Sequence, residues 1–370
     1  MENVFEFADE LGPEKIIHIY EPSVDLKAIV AIDNVARGPS IGGIRMAADV
    51  SVEEAFRLAR AMTLKNAAAG LPHGGGKSVI FGDPKMNPCR KERLIRAFAC
   101  AIRDIREYIP GPDMGTDERC MAWIKDEIDR AVGLPTELGG IPLDEVGATG
   151  WGLFASVDVA REFCDLDLEG ARLVVQGFGA VGKHAARFLS LKGAILVGAA
   201  DSGGTLFDPD GIDVERLIEL KNGHKSVLDF PKGKKLGGDD VIDIECDIWI
   251  PAARPDVIHE GNVHRLKTRL IPQGANIAIT PGAEKTLHEK GVICIPDFIA
   301  NAGGVICAAM EYRHLGKSAA FDAIEEKIRA NTQQVLERSR SLQIPPRQAA
   351  LDLAIRRVKK AMGHRRWAIF

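Results

Sequence analysis

The hydrophobic pattern changes character near residue 146 of this 370-residue chain. Before that point, apolar runs at 16–20 and 26–32 indicate strands, and amphipathic helical segments follow them. After it, buried-strand runs alternate with helical segments, which is typical of a parallel sheet with helical crossovers. The pattern predicts two α/β domains joined by a Gly/Pro-rich hinge at 133–145.

A helix and a strand flank the first glycine-rich segment. Ser51 and Glu54 form a capping box, and the apolar spacing behind them predicts a helix that ends at Lys65. The three glycines at 74–76 are expected to form a sharp turn that lets another group approach closely. Lys77 then opens an apolar strand, where burial would lower the pKa of its ammonium group and suit it for acid–base chemistry. A solvated surface lysine beside a flexible turn is the alternative at this point.

Two more loops are predicted in the first part of the chain. Residues 37–43 form one of them, and the pair Gly42 and Gly43 at its end marks a place where the backbone comes close to another group. Residues 108–117 form the other, a loop constrained by proline and glycine that presents Asp113.

A dinucleotide-binding pattern begins after the strand predicted at 171–175. Glycines stand at the G-x-G-x-x-G positions between that strand and a predicted helix, in the loop Gly177, Phe178, Gly179, Ala180, Val181 and Gly182. The following strand ends at Asp201, 19 residues past Gly182, where an acid would bind ribose hydroxyl groups. An acid there favours NAD over NADP, although the serine and glycines after it could also present donors to a phosphate.

Further strands are predicted at 248–253, 270–276 and 292–296, and two long helices at 318–342 and 346–361. Asn276 and Asn301 stand at the ends of two of these strand segments, where ligands bind in doubly wound sheets. Asn301 is equally well explained as the cap of a helix that begins there.

Composition and charge exclude several classes of protein. A net charge of −4 and the lack of a basic window before 364–370 argue against nucleic-acid binding, and that terminal cluster is expected to be solvated or a subunit contact. Seven scattered cysteines without a C-x-x-C pair argue against disulfides and a metal site. With no apolar run near the roughly 20 residues of a membrane span and no signal pattern, a soluble cytoplasmic protein is expected.

The motifs together resemble the glutamate/leucine/phenylalanine/valine dehydrogenase family. They occur in family order over nearly the whole chain, at 38–46, 62–66, 74–77, 112–116, 148–150, 177–182, 274–276 and 301–304. The resemblance implies a substrate-binding and oligomerisation domain at 1–146, to which 331–370 return, and a Rossmann-type NAD-binding domain at 147–330. It also implies a homo-oligomer with its active site in the cleft between the two domains.

The same resemblance implies reversible oxidative deamination of an L-amino acid to a 2-oxo acid and ammonia. By matching position, Lys65 would hold the substrate α-carboxylate, Lys77 would activate the attacking water, and Asp113 would exchange protons with the amino group. The other implied contacts are Gly42, Gly43, Met62 and Asn276 in the substrate pocket, and Thr149 and Asn301 at the nicotinamide end of the cofactor.

Two positions bear on the substrate. Glutamate-specific members of the family carry a lysine just before the glycine pair and a serine seven residues past the asparagine matched by Asn301, where this chain has Ile41 and Ala308. An apolar pocket floor would leave a side-chain carboxylate buried and unpaired, at a cost of several kcal/mol. A branched-chain substrate of the leucine, valine or isoleucine type is therefore expected, with phenylalanine as the nearest rival.

Two alternatives remain. The segments 201–205 and 274–277 look more like glutamate dehydrogenases, so glutamate stays an alternative substrate. A catalytically silent nucleotide-binding homologue is the alternative of another class, but it would be expected to lack Lys65, Lys77 or Asp113, and all three are present. The isolated His73 is expected to serve in packing.

Overall fold

A computed structural model describes residues 4–364, so the basic terminal segment lies outside the described residues except for its first residue. The chain divides into two compact units. Within the described residues, the first unit comprises 4–142, 305–320 and 352–364, and the second comprises 143–304 and 321–351.

The first unit contains a mixed five-stranded sheet. Its strands are β1 Lys15–Glu21, β2 Leu26–Asn34, β3 Ser40–Ala47, β4 Gly74–Phe81 and β5 Tyr108–Pro112. Their order is β1-β2-β4-β3-β5; β2 is antiparallel to both of its neighbours, whereas β3 is parallel to β4 and β5. The predicted strands at 16–20 and 26–32 are confirmed as β1 and β2.

Helices cover both faces of this sheet. They are α1 Val52–Ala68, α2 Pro88–Ala101 and α3 Glu118–Ile128. Alternation along β2 sends Ile29 and Ala31 to the face that packs on α1, and Val30 and Ile32 to the face that packs on α2 and α3. Ser51 caps α1 by accepting a hydrogen bond from the Glu54 amide, so the predicted helix start is confirmed.

The predicted glycine turn at 74–76 is wrong. These glycines form the first residues of β4, and none has a positive φ. A Cβ at Gly74 would lie 1.9 Å from the carbonyl oxygen of Asn34, and one at Gly75 would lie 2.0 Å from the backbone nitrogen of Thr63. The glycines are needed because neighbouring backbone packs directly on the strand, so close approach was the correct part of the prediction.

The two predicted loops are also partly wrong. Ser40 to Gly43 belong to β3, and Tyr108 to Pro112 form β5. Both segments contain glycine and proline, which sequence rules assign to turns, but parallel pairing between them satisfies the backbone, with Gly42 opposite Pro110.

The second unit contains a seven-stranded sheet. Its strands are β6 Arg172–Gln176, β7 Ile195–Asp201, β8 Gly204–Phe207, β9 Lys234–Leu236, β10 Ile248–Pro251, β11 Leu270–Pro272 and β12 Ile293–Ile295. The order is β12-β11-β10-β6-β7-β8-β9, parallel from β12 to β7 and antiparallel from β7 to β9. The doubly wound α/β fold class is confirmed, whereas the short strands β8 and β9 were missed.

The remaining helices follow the order of the chain. They are α4 Leu143–Val146, α5 Ala148–Ala160, α6 Ala180–Ser190, α7 Val214–Asn222, α8 Pro281–Glu289, α9 Asp297–Ala300, α10 Gly303–Tyr312, α11 Lys317–Leu342 and α12 Pro346–Met362. The two long closing helices are confirmed to within one residue at each end. Crossovers change direction at β6, so the carboxyl ends of β6 and β10 form the switch point at which doubly wound sheets bind ligands.

Candidate active site

Lys77 and Asp113 come into direct contact on one face of the first unit's sheet. The pairing of Ile44 with Ser78 places Gly43 of β3 beside Lys77 of β4. Lys77 Nζ donates a hydrogen bond to Asp113 Oδ2 at the end of β5. A Cβ at Gly43 would lie 3.2 Å from Lys77 Nζ and 2.8 Å from Asp113 Cβ, so the absence of a side chain there leaves room for the pair.

Burial sets the proton affinity of this pair. The Lys77 side chain is only 8% exposed, and desolvation lowers the pKa of its ammonium group, although Asp113 opposes that shift. Burial acts to raise the pKa of Asp113, but the nearby charge of Lys77 outweighs it, and the pKa is lowered overall. A lysine that loses its proton more easily than usual, beside an ionised carboxylate, is suited to proton transfer.

Two charged residues that sequence reasoning missed extend this pair. Arg45 Nε lies 3.5 Å from Asp113 Oδ2, and Arg45 Nη1 lies 2.5 Å from Glu54 Oε1 on α1. Arg45 follows Gly43 by two residues and shares its face of β3. That spacing was the available sequence signal, but the prediction of a loop at 37–43 concealed it.

The other predicted substrate contacts occupy three elements of the first unit. Met62 and Lys65 lie near the C-terminal end of α1, both partly buried. Ile41, at 4% exposure, and Gly42 lie on β3, and the Tyr108 hydroxyl donates to the carbonyl oxygen of Gly42 at 2.9 Å. Ala308 lies on α10 and is half-buried.

His73 is buried just before β4. Its Nδ1 lies 3.0 Å from the carbonyl oxygen of Pro39, and its ring meets the Tyr312 ring edge-on at 5.9 Å. Burial lowers the pKa of the imidazole, which favours the neutral ring. These contacts agree with the predicted packing role.

The glycine loop of the second unit lies between β6 and α6. Gly177 has a φ of +97°, and a Cβ there would lie 2.6 Å from the Ala253 nitrogen. A Cβ at Gly182 would lie 2.2 Å from the Gly177 carbonyl oxygen, whereas Gly179, which precedes the first turn of α6, faces open space. The loop therefore exposes a helix N-terminus to which a pyrophosphate can come close.

A cavity of about 650 Å³ begins at this loop. It is lined by residues that include Gly177, Gly179, Asp201, Lys221 and Arg254. The glycine positions, the cavity and the acid at the end of β7 together fit a dinucleotide.

Asp201 is already heavily hydrogen-bonded. Its carboxylate accepts from Lys221 Nζ at 2.6 Å and Ser226 Oγ at 2.9 Å, and from the backbone nitrogens of Gly203 at 2.8 Å and Val227 at 2.9 Å. Burial acts to raise the pKa of Asp201, but these donors outweigh it and lower the pKa overall, so the group is an anion. Four hydrogen bonds are about the capacity of a carboxylate, so a ribose hydroxyl would have to share an oxygen with one of them.

The predicted asparagines meet at the carboxyl edge of the second sheet. Asn301 Nδ2 donates to Asn276 Oδ1 at 2.8 Å and to the Gly274 carbonyl oxygen at 3.2 Å. Asn301 is buried and forms the C-terminal cap of α9, and α10 begins two residues later, at Gly303. Thr149 lies in the first turn of α5, and a Cβ at Gly304 would lie 3.5 Å from its Oγ1.

Two family models match the chain. The glutamate/leucine/phenylalanine/valine dehydrogenase model matches residues 139–366, and the dimerisation-domain model of the same enzymes matches 13–130. The chain belongs to this dehydrogenase family. It is therefore an NAD(P)-dependent amino acid dehydrogenase, and the predicted family and enzyme class are confirmed.

Curated relatives of this family member align along most of its length. A glutamate dehydrogenase of Aeropyrum pernix is 38% identical over 90% of this chain and 85% of its own. An NADP-specific glutamate dehydrogenase of Saccharolobus shibatae is 38% identical over 79% of this chain and 72% of its own. An NAD-specific glutamate dehydrogenase of Staphylococcus aureus is 33% identical over 90% and 85%.

A solved structure shows the same fold. The hetero-hexameric glutamate dehydrogenase of Thermus thermophilus in its Leu-bound form superposes with a TM-score of 0.83 at 27% identity, covering 97% of this dehydrogenase and 91% of its own chain. Within residues 4–364, no group of histidine, cysteine and acidic side chains is arranged to hold a metal ion. No helix in the same range is long and apolar enough to span a membrane.

Proposed function

We propose that this enzyme catalyses the reversible, NAD-dependent oxidative deamination of an apolar L-amino acid of the leucine, valine or isoleucine type. The observation that carries the choice of substrate is Ile41. Ile41 is buried on β3, two residues before Gly43. Because side chains alternate along a strand, both residues lie on the face of the sheet on which Lys77 and Asp113 meet. A buried isoleucine offers a substrate side chain an apolar contact and gives a carboxylate no partner.

The charges around Ile41 support the same choice. Arg45 shares the face with Ile41, but Glu54 and Asp113 already balance its guanidinium charge. The resemblance assigns Lys65 to the α-carboxylate that all amino acid substrates share. Neither Arg45 nor Lys65 is then available to bind a carboxylate on the substrate side chain. Glutamate-specific members are expected to have a serine at the position of Ala308, which has no hydroxyl group.

The proposed reaction follows from the states of Lys77 and Asp113. Lys65 holds the substrate carboxylate, so that the Cα–H bond is oriented, and Asp113 takes a proton from the ammonium group to leave a neutral amine. NAD held by the second unit would supply the hydride acceptor, and loss of hydride from Cα would leave the substrate as an iminium ion. Neutral Lys77 removes a proton from water as the oxygen bonds to that carbon. Asp113 returns its proton to the nitrogen and, again a carboxylate, takes the remaining hydroxyl proton as the C–N bond breaks, so that ammonia and the 2-oxo acid leave.

Residues of the second unit would hold the cofactor. The loop 177–182 and the start of α6 would bind the pyrophosphate, and Asp201 the adenosine ribose. Thr149 and Asn301 would contact the nicotinamide end, with Asn276 near the substrate carboxylate. Asp201 favours NAD because it is an anion, but Lys221 neutralises it, so NADP is the alternative cofactor.

Glutamate is the second candidate substrate. The curated relatives described above are named glutamate dehydrogenases at 33 to 38% identity, which favours the same substrate for this chain. The two candidates differ in one requirement, since glutamate needs a cation or hydroxyl donor for its side-chain carboxylate.

We also propose a homo-oligomer in a reducing, cytoplasmic setting. The dimerisation-domain match and the hexameric assembly named for the Thermus structure support an oligomer. All seven cysteines are free thiols, which agrees with a reducing compartment.

The substrate assignment is tested by the reductive reaction. The enzyme is mixed with NADH, ammonia and one 2-oxo acid at a time, and the loss of NADH absorbance is followed at alkaline pH. We expect turnover with 2-oxoisocaproate and little with 2-oxoglutarate. The reverse order would establish glutamate as the substrate, and inactivity with every 2-oxo acid would favour the silent homologue.

A further inference from the structure

We propose that Arg45, held by Glu54, is a positioning residue that keeps Asp113 beside Lys77 and biases the location of the proton which that pair shares. The inference rests on the roles proposed above for Lys77 and Asp113. It adds two residues from separate elements, β3 and α1, that sequence motifs did not assign to the reaction.

The register of the sheet brings these groups together. Arg45 is opposite Val79 on β4, and both lie two residues after the pair of Gly43 and Lys77. The Arg45 side chain therefore projects from the same face of the sheet as Lys77. Its Nη1 is anchored at 2.5 Å to Glu54 Oε1, and its Nε lies 3.5 Å from Asp113 Oδ2. That Nε is buried and makes no hydrogen bond to the described residues. A small movement of Asp113 towards it would complete a hydrogen bond.

The four charges alternate in sign along this path. Lys77 is followed by Asp113, Arg45 and Glu54, with side chains between 8% and 31% exposed. In such partly buried surroundings, charge–charge energies exceed those at an open surface. Arg45 favours the ionised form of Asp113 and disfavours a second cation at Lys77, whereas Glu54 acts on Lys77 in the opposite sense.

The reaction needs both effects of Arg45. Lys77 must be neutral to take a proton from water, and Asp113 must be ionised to accept one from the substrate. Another titratable group near the pair is Tyr108 on β5, whose hydroxyl stays protonated and donates to the Gly42 carbonyl oxygen. Arg45 Nε and Lys77 Nζ both approach Asp113 Oδ2, so Arg45 acts on the carboxylate oxygen that Lys77 contacts.

The test compares three variants by their pH profiles of kcat/KM for oxidative deamination. Arg45→Met should raise the midpoint of the acid limb, where activity increases with pH as Lys77 loses its proton, by roughly half a pH unit or more. It should also lower kcat about tenfold at pH 8. Glu54→Gln should move the midpoint to lower pH. Arg45→Lys should restore the midpoint but only part of kcat, because an ammonium group lacks the planar fork that reaches both carboxylates. KM for NAD should change less than twofold in all three.

A matched control lies on α1, the helix that carries Glu54. Arg57 is exposed and 3.7 Å from Glu53, so Arg57→Met removes one arginine charge from α1 without touching the site, and it should leave the profile unchanged. If Arg45→Met fails to fold, the acid shift of Glu54→Gln carries the test.

Failure of this inference is distinguishable from failure of the proposed function. Unchanged profiles in the Arg45 and Glu54 variants, alongside a Lys77→Ala variant that has lost turnover, would overturn the roles of Arg45 and Glu54 alone. Normal turnover in Lys77→Ala would instead overturn the proposed mechanism. Shifts of the same sign in Arg45→Met and Glu54→Gln would also reject the inference.

Discussion

The backbone of α1 at Thr63 lies directly on Gly75 of β4. A Cβ at position 75 would lie 2.0 Å from the Thr63 nitrogen and 2.4 Å from the Ala59 carbonyl oxygen. No rotamer change relieves such contacts, because both atoms belong to the helix backbone. The glycine therefore fixes how closely α1, which carries Lys65, can approach the strand that carries Lys77.

Gly75→Ala should destabilise the protein and impair substrate binding. Overpacking of this kind costs about 1–3 kcal/mol, and the helix would have to move away from β4. Urea unfolding and KM for the amino acid measure the two effects. Gly316→Ala is the control, since Gly316 is exposed with no atom within 4 Å of its added Cβ. Equal stability of the two variants would contradict the packing explanation.

Lys77→Ala should abolish turnover while cofactor binding survives. Loss of a general base lowers kcat by about 10²- to 10⁴-fold, whereas the glycine loop at 177–182 is unaffected. Steady-state kinetics and NADH fluorescence titration separate the two properties. Lys85→Ala, at an exposed position shortly after β4, should match the parent enzyme. Near-normal kcat in Lys77→Ala would remove this lysine from the mechanism.

Ile41→Lys should confer activity on 2-oxoglutarate. The new ammonium group would pair with the second carboxylate of 2-oxoglutarate. With 2-oxoisocaproate, the same buried charge would face an apolar side chain and have no partner. The ratio of kcat/KM for 2-oxoglutarate to that for 2-oxoisocaproate should rise by at least about tenfold, or about 1.4 kcal/mol. Ile41→Leu should keep the parent preference. An unchanged ratio in the lysine variant would show that position 41 does not line the substrate pocket.

Lys221→Met should sharpen discrimination in favour of NAD. Lys221 Nζ lies 2.6 Å from Asp201 Oδ2 and cancels the charge that would repel a 2′-phosphate. Its loss should lower the NADP-to-NAD ratio of kcat/KM about tenfold. Lys225→Met, at an exposed position nearby, is the control. A ratio that rises, or does not move, would argue against a cofactor role for the Asp201–Lys221 pair.

Arg347→Met should destabilise the second unit. Arg347 donates to Glu284 Oε2 at 2.6 Å, to Asp297 Oδ1 at 2.8 Å and to Gln273 Oε1 at 3.1 Å, all at buried partners. Leaving buried carboxylates without their cation costs about 3–5 kcal/mol in the free energy of unfolding. The exposed pair of Lys285 with Glu289 supplies the control, Lys285→Met, which should lose almost nothing.

The loss of unfolding free energy in Arg347→Met should be smaller at acidic pH. Burial raises the pKa of Glu284 even beside Arg347, and removal of the cation would raise it further. A carboxyl group whose pKa is higher in the folded state binds its proton more tightly there, so folding is favoured as pH falls through that raised value. Unfolding experiments from pH 7 down to pH 5 measure the change. A deficit that grows over this range would contradict the assignment to Glu284.

Sequence reasoning recovered the elements whose pattern is local. The strand, glycine loop and helix around Gly177 were found because a short-range motif encodes them. The turn at 74–76 and the loop at 37–43 were misassigned because contacts from distant residues, such as Asn34 and Thr63 against the glycines, decide their conformation. Arg45 was missed for the same reason, since only the register of β3 against β4 shows that it shares a face with Lys77. Glu54 was missed with it, because Glu54 joins the site from α1 through its contact with Arg45.

Both outer strands of the seven-stranded sheet, β9 and β12, are three residues long, and β9 carries Lys234 and Lys235. Short edge strands, one of them charged, offer few unpaired amide and carbonyl groups with which another polypeptide chain could form a strand pair. Chains that crowd together during synthesis should therefore seldom join through this sheet, which protects the cofactor-binding half from aggregation while the enzyme assembles.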